Sequence, residues 1–167
     1  METKPLDKLQ ERSLFDCEVE ALNDYLKKYA LQNQKKDAAR TYVLATEENQ
    51  IISYYTLVFG SVSIAETTSE ISAGLGKYPI PIILLARLAI DKTQKGKGCG
   101  KFLMKDALLR AVQASEIAGL RAFLVHAKDE SAKTFYEKLG FEPSPHNEFH
   151  LFLKMSDIRA SLADAGF

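Results

Sequence analysis

The sequence predicts a mixed α/β fold in which helices flank a central sheet. Three segments typical of strands lie in the first half of the chain. Ile82–Ile90 is an apolar run interrupted only by Arg87, which is the pattern of a central strand covered on both faces. A glycine-rich turn at residues 95–100 then leads into an amphipathic helix. Strands first, followed by a strand–helix–strand–helix–strand series, indicate a mixed α/β sandwich.

Length and composition fit one globular domain, which we expect to span residues 1–167. The chain is 46% hydrophobic and 26% charged with a formal net charge of zero, so only a local patch could bind a polyanion. Cys17 and Cys99 form neither a disulfide framework nor part of a metal-ligand cluster, and we expect no metal. Without an apolar signal segment or a membrane-length apolar run, a cytoplasmic location is expected.

Local patterns predict the elements of the N-terminal half. Leu6–Phe15 is interpreted as a first strand and Glu20–Gln32 as a helix. Thr41–Thr46 and Ile51–Val62 are rich in β-branched and aromatic residues and predict a hairpin. Ala65–Pro81 is rich in Ser, Thr, Gly and Pro, and predicts an irregular loop.

In the C-terminal half, the helix after the glycine turn is expected to stop at Gly119. A strand, a helix capped by Asp129, a last strand and a short final helix are expected to follow, at Arg121–His126, Asp129–Lys138, Phe149–Met155 and Ser156–Ala165.

The segment Lys95-Gly96-Lys97-Gly98-Cys99-Gly100 has the composition of a phosphate-binding turn. Alternating glycines let the main chain approach an anion, and two lysines add positive potential. The following helix presents unpaired N–H groups and the positive end of its dipole. An empty strand-to-helix connection is the alternative. The spacing excludes a P-loop and a Rossmann fingerprint.

Two segments resemble signatures of the GNAT acetyltransferase superfamily. Its pyrophosphate loop reads Arg/Gln-x-x-Gly-x-Gly/Ala, and Lys95, Gly98 and Gly100 take the three defined positions, with Lys replacing Arg or Gln. The second signature is matched by Ala132, Phe135, Tyr136, Gly140 and Phe141. The resemblance implies a GNAT fold with a mixed central sheet, and acetyl-CoA as cosubstrate in a splayed-strand cleft.

The resemblance also assigns the cosubstrate site to one strand end, the glycine turn and one helix. The main chain of the strand end would pair with the pantetheine arm like an added strand. The implied cofactor-binding residues are Leu88, Ala89, Ile90, Lys95, Gly96, Lys97, Gly98, Cys99, Gly100, Ala132 and Phe135.

The N-terminal half resembles one GNAT subgroup, the acetyltransferase toxins of bacterial toxin–antitoxin modules. The matching positions of that half are Phe15-Asp16-Cys17, Leu22–Leu26, Ala30 and Arg40–Val43. The later blocks Arg87–Ala89, Gly96–Gly100 and Val125–Asp129 match the same subgroup. The resemblance implies acetylation of the α-amine of aminoacyl-tRNA, arrest of translation, a ribbon-helix-helix antitoxin and a homodimer. The chain departs from the subgroup at Glu18, where glycine is frequent.

A basic segment favours an RNA substrate on separate grounds. Between residues 25 and 46, Asp37 alone opposes five basic side chains, which are Lys27, Lys28, Lys35, Lys36 and Arg40. We expect this segment to contact tRNA phosphates, the alternative being a solvated helix face. Asn23 and Arg87 match recurrent positions of the toxin subgroup, which implies tRNA contact. Because an unpaired guanidinium is costly in an apolar strand, Arg87 either pairs in the core or faces the acceptor end.

Tyr136 is the expected catalytic residue, donating a proton to the leaving thiolate, and simple packing is the alternative. No general base is evident. The pKa of an α-amine is ~8 and an adjacent ester lowers it, so such an amine needs little help from a base. A lysine amine, with a pKa of ~10.4, would need more. Two other functions stay open: a GNAT acting on a small amine or protein N-terminus, and a non-catalytic module that binds CoA or RNA.

Overall fold

The computed structural model describes residues 1–164. Seven strands form a mixed sheet in the order β1-β2-β3-β4-β5-β7-β6. They are β1 Lys4–Pro5, β2 Arg40–Ala45, β3 Ile51–Val62, β4 Ile80–Ile90, β5 Ala122–His126, β6 Glu142–Pro143 and β7 His150–Lys154. Helices flank the sheet, which confirms the GNAT fold.

The α-helices within the described residues are α1 Glu20–Asp24, α2 Ala30–Lys35, α3 Ser69–Ser72, α4 Cys99–Ser115, α5 Glu130–Lys138 and α6 Met155–Ala163. One π-helical turn, Tyr25–Tyr29, separates α1 from α2. Short 3₁₀ turns occupy Ile64–Glu66 and Lys92–Gln94. None of the helices in residues 1–164 has both the length and the apolar character needed to cross a bilayer.

The chain divides into two compact units. The first contains residues 1–58 and 86–107, and the second contains residues 59–85 and those from 108 onward. β3, β4 and α4 each contribute residues to both units.

The first unit is built on an antiparallel β2–β3 pair, with β1 antiparallel to β2. The predicted hairpin is confirmed. Asn49 takes the left-handed conformation in its turn (φ 64°), which asparagine tolerates better than most residues. The predicted helix of Glu20–Gln32 is present and extends to Lys35, interrupted by the π-helical turn. Its apolar side contributes Tyr25, Leu26 and Ala30 to a buried cluster. The other members of this cluster are Leu6, Phe15, Cys17, Val43, Ile51, Tyr54 and Ala89.

The second unit contains the parallel pairing of β4 with β5, from Ile82 opposite Ala122 to Leu85 opposite Val125. β7 pairs antiparallel with both β5 and β6. Its core is a cluster of Val62, Ile71, Ile80, Ile82, Ala122, Leu124 and Phe152.

The predicted strand at Leu6–Phe15 is wrong. The only strand in this region is β1, and the segment that follows turns on itself, with the Asp7 carboxylate accepting a hydrogen bond from the Leu9 amide at 2.7 Å. Leu6 and Phe15 are buried as anchors of a loop. The strand is predicted because the segment begins and ends with apolar residues, but Leu6 and Phe15 are buried without forming a strand.

The predicted loop at Ala65–Pro81 holds more structure than expected. The Thr68 hydroxyl accepts a hydrogen bond from the Ile71 amide at 3.3 Å and begins α3, and β4 already starts at Ile80. Pro81 lies inside β4, where its carbonyl accepts a hydrogen bond from the Arg121 amide at 2.9 Å. Proline lacks a donor but keeps its acceptor, so it can occupy such a position.

Smaller differences concern the ends of elements. α4 ends at Ser115, before Gly119, and β6 was not anticipated because a two-residue strand carries no period. The final helix spans Met155–Ala163, and Ala165 of the prediction lies outside the described residues.

Candidate active site and phosphate-binding turn

The glycine turn has the backbone needed to receive an anion. Gly96 and Gly98 have φ values of 77° and 82°, a region that other residues rarely adopt. A Cβ atom built on either glycine would meet nothing within 4 Å, so open space lies in front of the main chain. These glycines are therefore required by conformation and not by crowding.

The start of α4 supplies the donors. The Phe102 amide donates to the Gly98 carbonyl at 3.1 Å, so Gly98 ends the turn and Cys99 begins the helix. Cys99 and Gly100, expected in the loop, thus lie in the first helical turn, whose amides have no partner within the helix. Open space, flexible backbone and the positive end of a 17-residue helix fit a pyrophosphate group.

Lys95 is engaged within the protein. Its Nζ lies 3.0 Å from Glu18 Oε2 and 3.2 Å from the Cys17 carbonyl oxygen. Glu18 thereby offsets part of the positive potential that two lysines were expected to give the turn, while Lys97 is exposed. Glu18 itself has a φ of 69°, a left-handed conformation that is unfavourable for a side chain of this kind.

Asp16 organises the segment that precedes the glycine turn. Its Oδ1 accepts hydrogen bonds from the Glu18 amide at 2.8 Å and from Asn23 Nδ2 at 3.0 Å. Its Oδ2 lies 3.1 Å from Lys92 Nζ. The Glu18 amide, then Asn23, then Lys92 lower the pKa of Asp16 to about 2. In the sequence, Asp16 stands out only as part of the block Phe15-Asp16-Cys17, because its partner Lys92 lies 76 positions away.

Asn23 uses both ends of its side-chain amide in this network. Its Oδ1 accepts from the Cys17 amide at 2.9 Å while its Nδ2 donates to Asp16. The Asp16 amide in turn donates to Asp91 at 2.9 Å, and Asp91 also accepts from Thr93. The tRNA contact implied for Asn23 stays a prediction, and the side chain has an evident role in shaping the turn at residues 16–18.

The proposed pantetheine-binding segment is the end of β4. Ala89 is buried in the core of the first unit, and Leu88 and Ile90 are half-buried. Arg87 precedes them, with its guanidinium carbon 3.6 Å from the centroid of the Tyr25 ring. The sequence leaves two environments open for the Arg87 side chain, an ion pair in the core or the tRNA acceptor end. No carboxylate among residues 1–164 pairs with Arg87, so the core ion pair is not formed.

Tyr136 lies on α5, in the second unit. Asp129 caps this helix as expected, accepting a hydrogen bond from the Ala132 amide at 2.8 Å. The Tyr136 side chain is 8% exposed and packs against Phe135 and Phe141, with ring centroids 5.3 and 5.6 Å away. Burial raises the pKa of Tyr136 to about 12, so the phenol is protonated at neutral pH and able to donate.

Two histidines that the sequence did not connect face each other on β5 and β7. The rings of His126 and His150 stack with centroids 3.9 Å apart. Partial burial, then the His150 ring, lowers the pKa of His126, which favours its neutral form. Within residues 1–164, no three His, Cys, Asp or Glu side chains are placed to hold a metal ion.

In the basic segment, all five basic side chains are exposed to solvent. Two of its members form surface ion pairs: Lys28 Nζ with Asp24 at 3.4 Å, and Arg40 Nη2 with Asp37 at 2.8 Å. Asp24 lies just outside the stretch considered from the sequence and reduces its charge. Surface pairs of this kind contribute little and exchange readily with other anions.

Comparison with protein families identifies the class of protein to which this fold and site belong. Residues 9–151 match the family described as acetyltransferase (GNAT) domain, and the chain belongs to that family. Members are acetyl-CoA-dependent acetyltransferases, so the expected enzyme class and cosubstrate are confirmed.

Individual relatives are more specific. The chain is 40% identical over 144 residues to a tRNA-acetylating toxin of Mycobacterium tuberculosis (strain ATCC 25618 / H37Rv), covering 86% of each protein. It resembles the structure of AtaT complexed with acetyl-methionyl-tRNAfMet, with a TM-score of 0.89, 31% identity, and coverage of 96% and 98%. A Tyr-to-Phe mutant of AtaT bound to the C-terminus of the antitoxin AtaR and acetyl-CoA gives a TM-score of 0.82 at 31% identity, with coverage of 96% and 97%.

Proposed function

We propose that this protein transfers the acetyl group of acetyl-CoA to the α-amine of aminoacyl-tRNA, blocking translation as the toxin of a toxin–antitoxin pair. The 40% identity to a tRNA-acetylating toxin over most of both chains carries the substrate assignment. The buried, protonated Tyr136 supports the chemistry.

Within this proposal, the open main chain at Gly96 and Gly98, with the first amides of α4, binds the pyrophosphate. Lys95, Lys97, Cys99 and Gly100 belong to the same turn. The main chain of Leu88, Ala89 and Ile90 binds the pantetheine arm. Ala132 and Phe135 of α5 are further proposed coenzyme-binding residues. The bound coenzyme supplies an acetyl thioester.

Tyr136 is the proposed catalytic residue. As the amine nitrogen forms its bond to the thioester carbon and the C–S bond breaks, Tyr136 donates its phenol proton to the leaving sulfur. The amine loses a proton to solvent as the amide forms, and the Tyr136 phenolate regains a proton from solvent. Because the adjacent ester lowers the pKa of the α-amine below its ordinary value of ~8, much of the amine is neutral at neutral pH and this scheme needs no dedicated base.

The basic segment is the proposed tRNA surface, comprising Lys27, Lys28, Lys35, Lys36 and Arg40. The exposure of all five basic side chains is compatible with phosphate contacts. Together with Arg87 it lies in the first compact unit. We further propose that residues 1–167 act as one cytoplasmic domain, that the protein forms a homodimer, and that a ribbon-helix-helix antitoxin neutralises it.

The test is transfer of label from acetyl-CoA to total aminoacyl-tRNA by wild type, Tyr136→Phe and Tyr78→Phe. Label should enter the RNA fraction and disappear after deacylation. Tyr136→Phe keeps the packing and removes the proton, and we expect a loss of about 100-fold or more. Tyr78 is 84% exposed, so Tyr78→Phe serves as the matched control and should remain fully active.

Absence of label in RNA with an active wild-type preparation would reject the aminoacyl-tRNA substrate and favour a small amine or a protein N-terminus. Full activity of Tyr136→Phe would instead reject the proton donor and leave the substrate assignment intact.

A further inference from the structure

Arg87 is held in an unusual state for a guanidinium on an apolar strand. It is half-buried in β4, and its guanidinium carbon lies 3.6 Å from the centre of the Tyr25 ring. Among residues 1–164, no group accepts a hydrogen bond from it and no carboxylate pairs with it. Stacking on an aromatic face offsets only part of the cost of removing such a cation from water. The planar donor fork is therefore held on the Tyr25 ring without a hydrogen bond to any group of residues 1–164.

Tyr25 is held by the fold through its ring and not through its hydroxyl. The side chain is 5% exposed and stacks on Tyr54, with centroids 6.4 Å apart. The Tyr54 hydroxyl donates to the Leu22 carbonyl at 2.7 Å, whereas the Tyr25 hydroxyl is buried without a partner in the described part of the chain. A buried phenol that makes no hydrogen bond adds no stability through its oxygen. The contacts of Tyr25 are therefore made by its ring, which stacks on Tyr54 and carries the Arg87 guanidinium.

The backbone at Tyr25 gives a further indication. Tyr25 is the first residue of the π-helical turn Tyr25–Tyr29, which interrupts an otherwise regular helix. Such turns are less stable than α-helix and occur often at functional sites. The same turn carries Lys27 and Lys28 of the basic segment, so the unpaired guanidinium lies against the element that begins the proposed RNA surface.

We propose that Arg87 binds a phosphate group of the substrates and that Tyr25 is its positioning residue. A guanidinium fork matches the geometry of phosphate oxygens, and an aromatic platform fixes the fork before binding. The phosphate belongs either to the RNA acceptor or to the coenzyme, since Arg87 directly precedes the proposed pantetheine-binding segment. This inference rests on the proposed function only for the RNA source.

The experiment measures two dissociation constants, for deacylated total tRNA and for CoA, with wild type and four variants. Arg87→Gln removes the cation and is expected to weaken one of the two ligands on the order of tenfold. Arg87→Lys keeps the charge without the fork and should recover only part of that loss. If tRNA is the affected ligand, the salt dependence of its binding should fall by about one phosphate contact.

Tyr25 supplies a test that a purely structural role would not pass. Tyr25→Phe retains the ring and removes an unpaired polar atom, so binding should equal that of wild type with unchanged or higher thermal stability. Tyr25→Leu removes the platform and should weaken the same ligand by about threefold to tenfold. Rescue of the binding loss by phenylalanine but not by leucine identifies the ring as the positioning element.

The outcomes separate the sources. Weaker tRNA binding assigns an RNA phosphate, and weaker CoA binding assigns a coenzyme phosphate; both support the inference. Unchanged affinity for both ligands in Arg87→Gln overturns it, whether or not Tyr25→Leu folds. Because neither assay requires acetyl transfer, a failed RNA acetylation experiment combined with weaker CoA binding would reject the proposed substrate and retain the role of Arg87.

Discussion

At the scale of single residues, Asn23 shows how one side chain can shape a site that is distant in sequence. It closes the turn at residues 16–18 by bonding to both the Cys17 amide and the Asp16 carboxylate. The same turn holds Lys92 through Asp16 and Lys95 through Glu18. The positions of two lysines near the phosphate-binding turn thus depend on an asparagine about 70 residues earlier.

Replacing Asn23 with alanine should destabilise the protein by about 1–3 kcal/mol, because the Cys17 amide loses its partner and the Asp16 carboxylate loses one of three partners. Urea denaturation measures the change. Asn33→Ala is the matched control, since no hydrogen bond joins the Asn33 side chain to the rest of residues 1–164. Equal effects of the two variants would show that the Asn23 network contributes nothing to stability.

At the scale of elements, α5 is a helix whose beginning is fixed by its own sequence. Asp129→Ala removes the bond to the Ala132 amide and should cost about 1 kcal/mol, lowering Tm by about 2–4 °C. Differential scanning calorimetry provides the measurement, with the exposed neighbour substitution Lys128→Ala as control. An unchanged Tm in Asp129→Ala would contradict the capping role.

The basic segment provides a second prediction at this scale. Lys35 and Lys36 are exposed and make no ion pair with residues 1–164, so their charge is available to an anion. The double variant Lys35→Glu/Lys36→Glu should weaken tRNA binding by tenfold or more and flatten its dependence on salt. Lys77→Glu, an exposed reversal elsewhere, is the control. Equal salt slopes in all three proteins would reduce the segment to a solubilising surface.

Elements with local causes were predictable from the sequence, and those with distant causes were not. The β2–β3 hairpin and the cap of α5 depend on neighbouring residues, and both predictions are confirmed. The stacking of Arg87 on Tyr25 joins residues 62 positions apart, and the π-helical turn beginning at Tyr25 has no sequence pattern of its own. The false strand at Leu6–Phe15 has the same origin. Leu6 and Phe15 are buried by tertiary packing, and main-chain pairing of the segment with other parts of residues 1–164 is limited to the Leu6 amide with Thr41 and an isolated bridge between Glu11 and Gln50.

At the scale of the whole molecule, acid should destabilise the fold in a defined window. The pKa of Asp16 is about 2 in the folded chain against an ordinary value of 3.8. A carboxyl whose folded pKa is depressed stabilises above its unfolded pKa, and that contribution disappears as the pH falls through the folded value. Stability attributable to Asp16 is thus complete above about pH 4 and lost toward pH 2.

Urea midpoints measured from pH 6 to pH 2 would reveal this contribution. Asp16→Asn should be less stable than wild type at pH 6 and should lose less on acidification, so the two curves converge at low pH. Glu47→Gln, at an exposed position in the hairpin turn, should leave the profile unchanged. Parallel curves for Asp16→Asn and wild type would contradict the assignment.

The left-handed backbone at Glu18 has a consequence for which replacements the protein tolerates during mutational drift. At a φ of 69°, the ranking of substitutions is set by the main chain more than by the loss of the Lys95 ion pair. Glycine fits without steric penalty, asparagine and aspartate follow, and β-branched residues fit worst. In a saturation library selected for folded protein, valine and isoleucine at this exposed position should be depleted while glycine persists. Surface exposure here gives no freedom of choice.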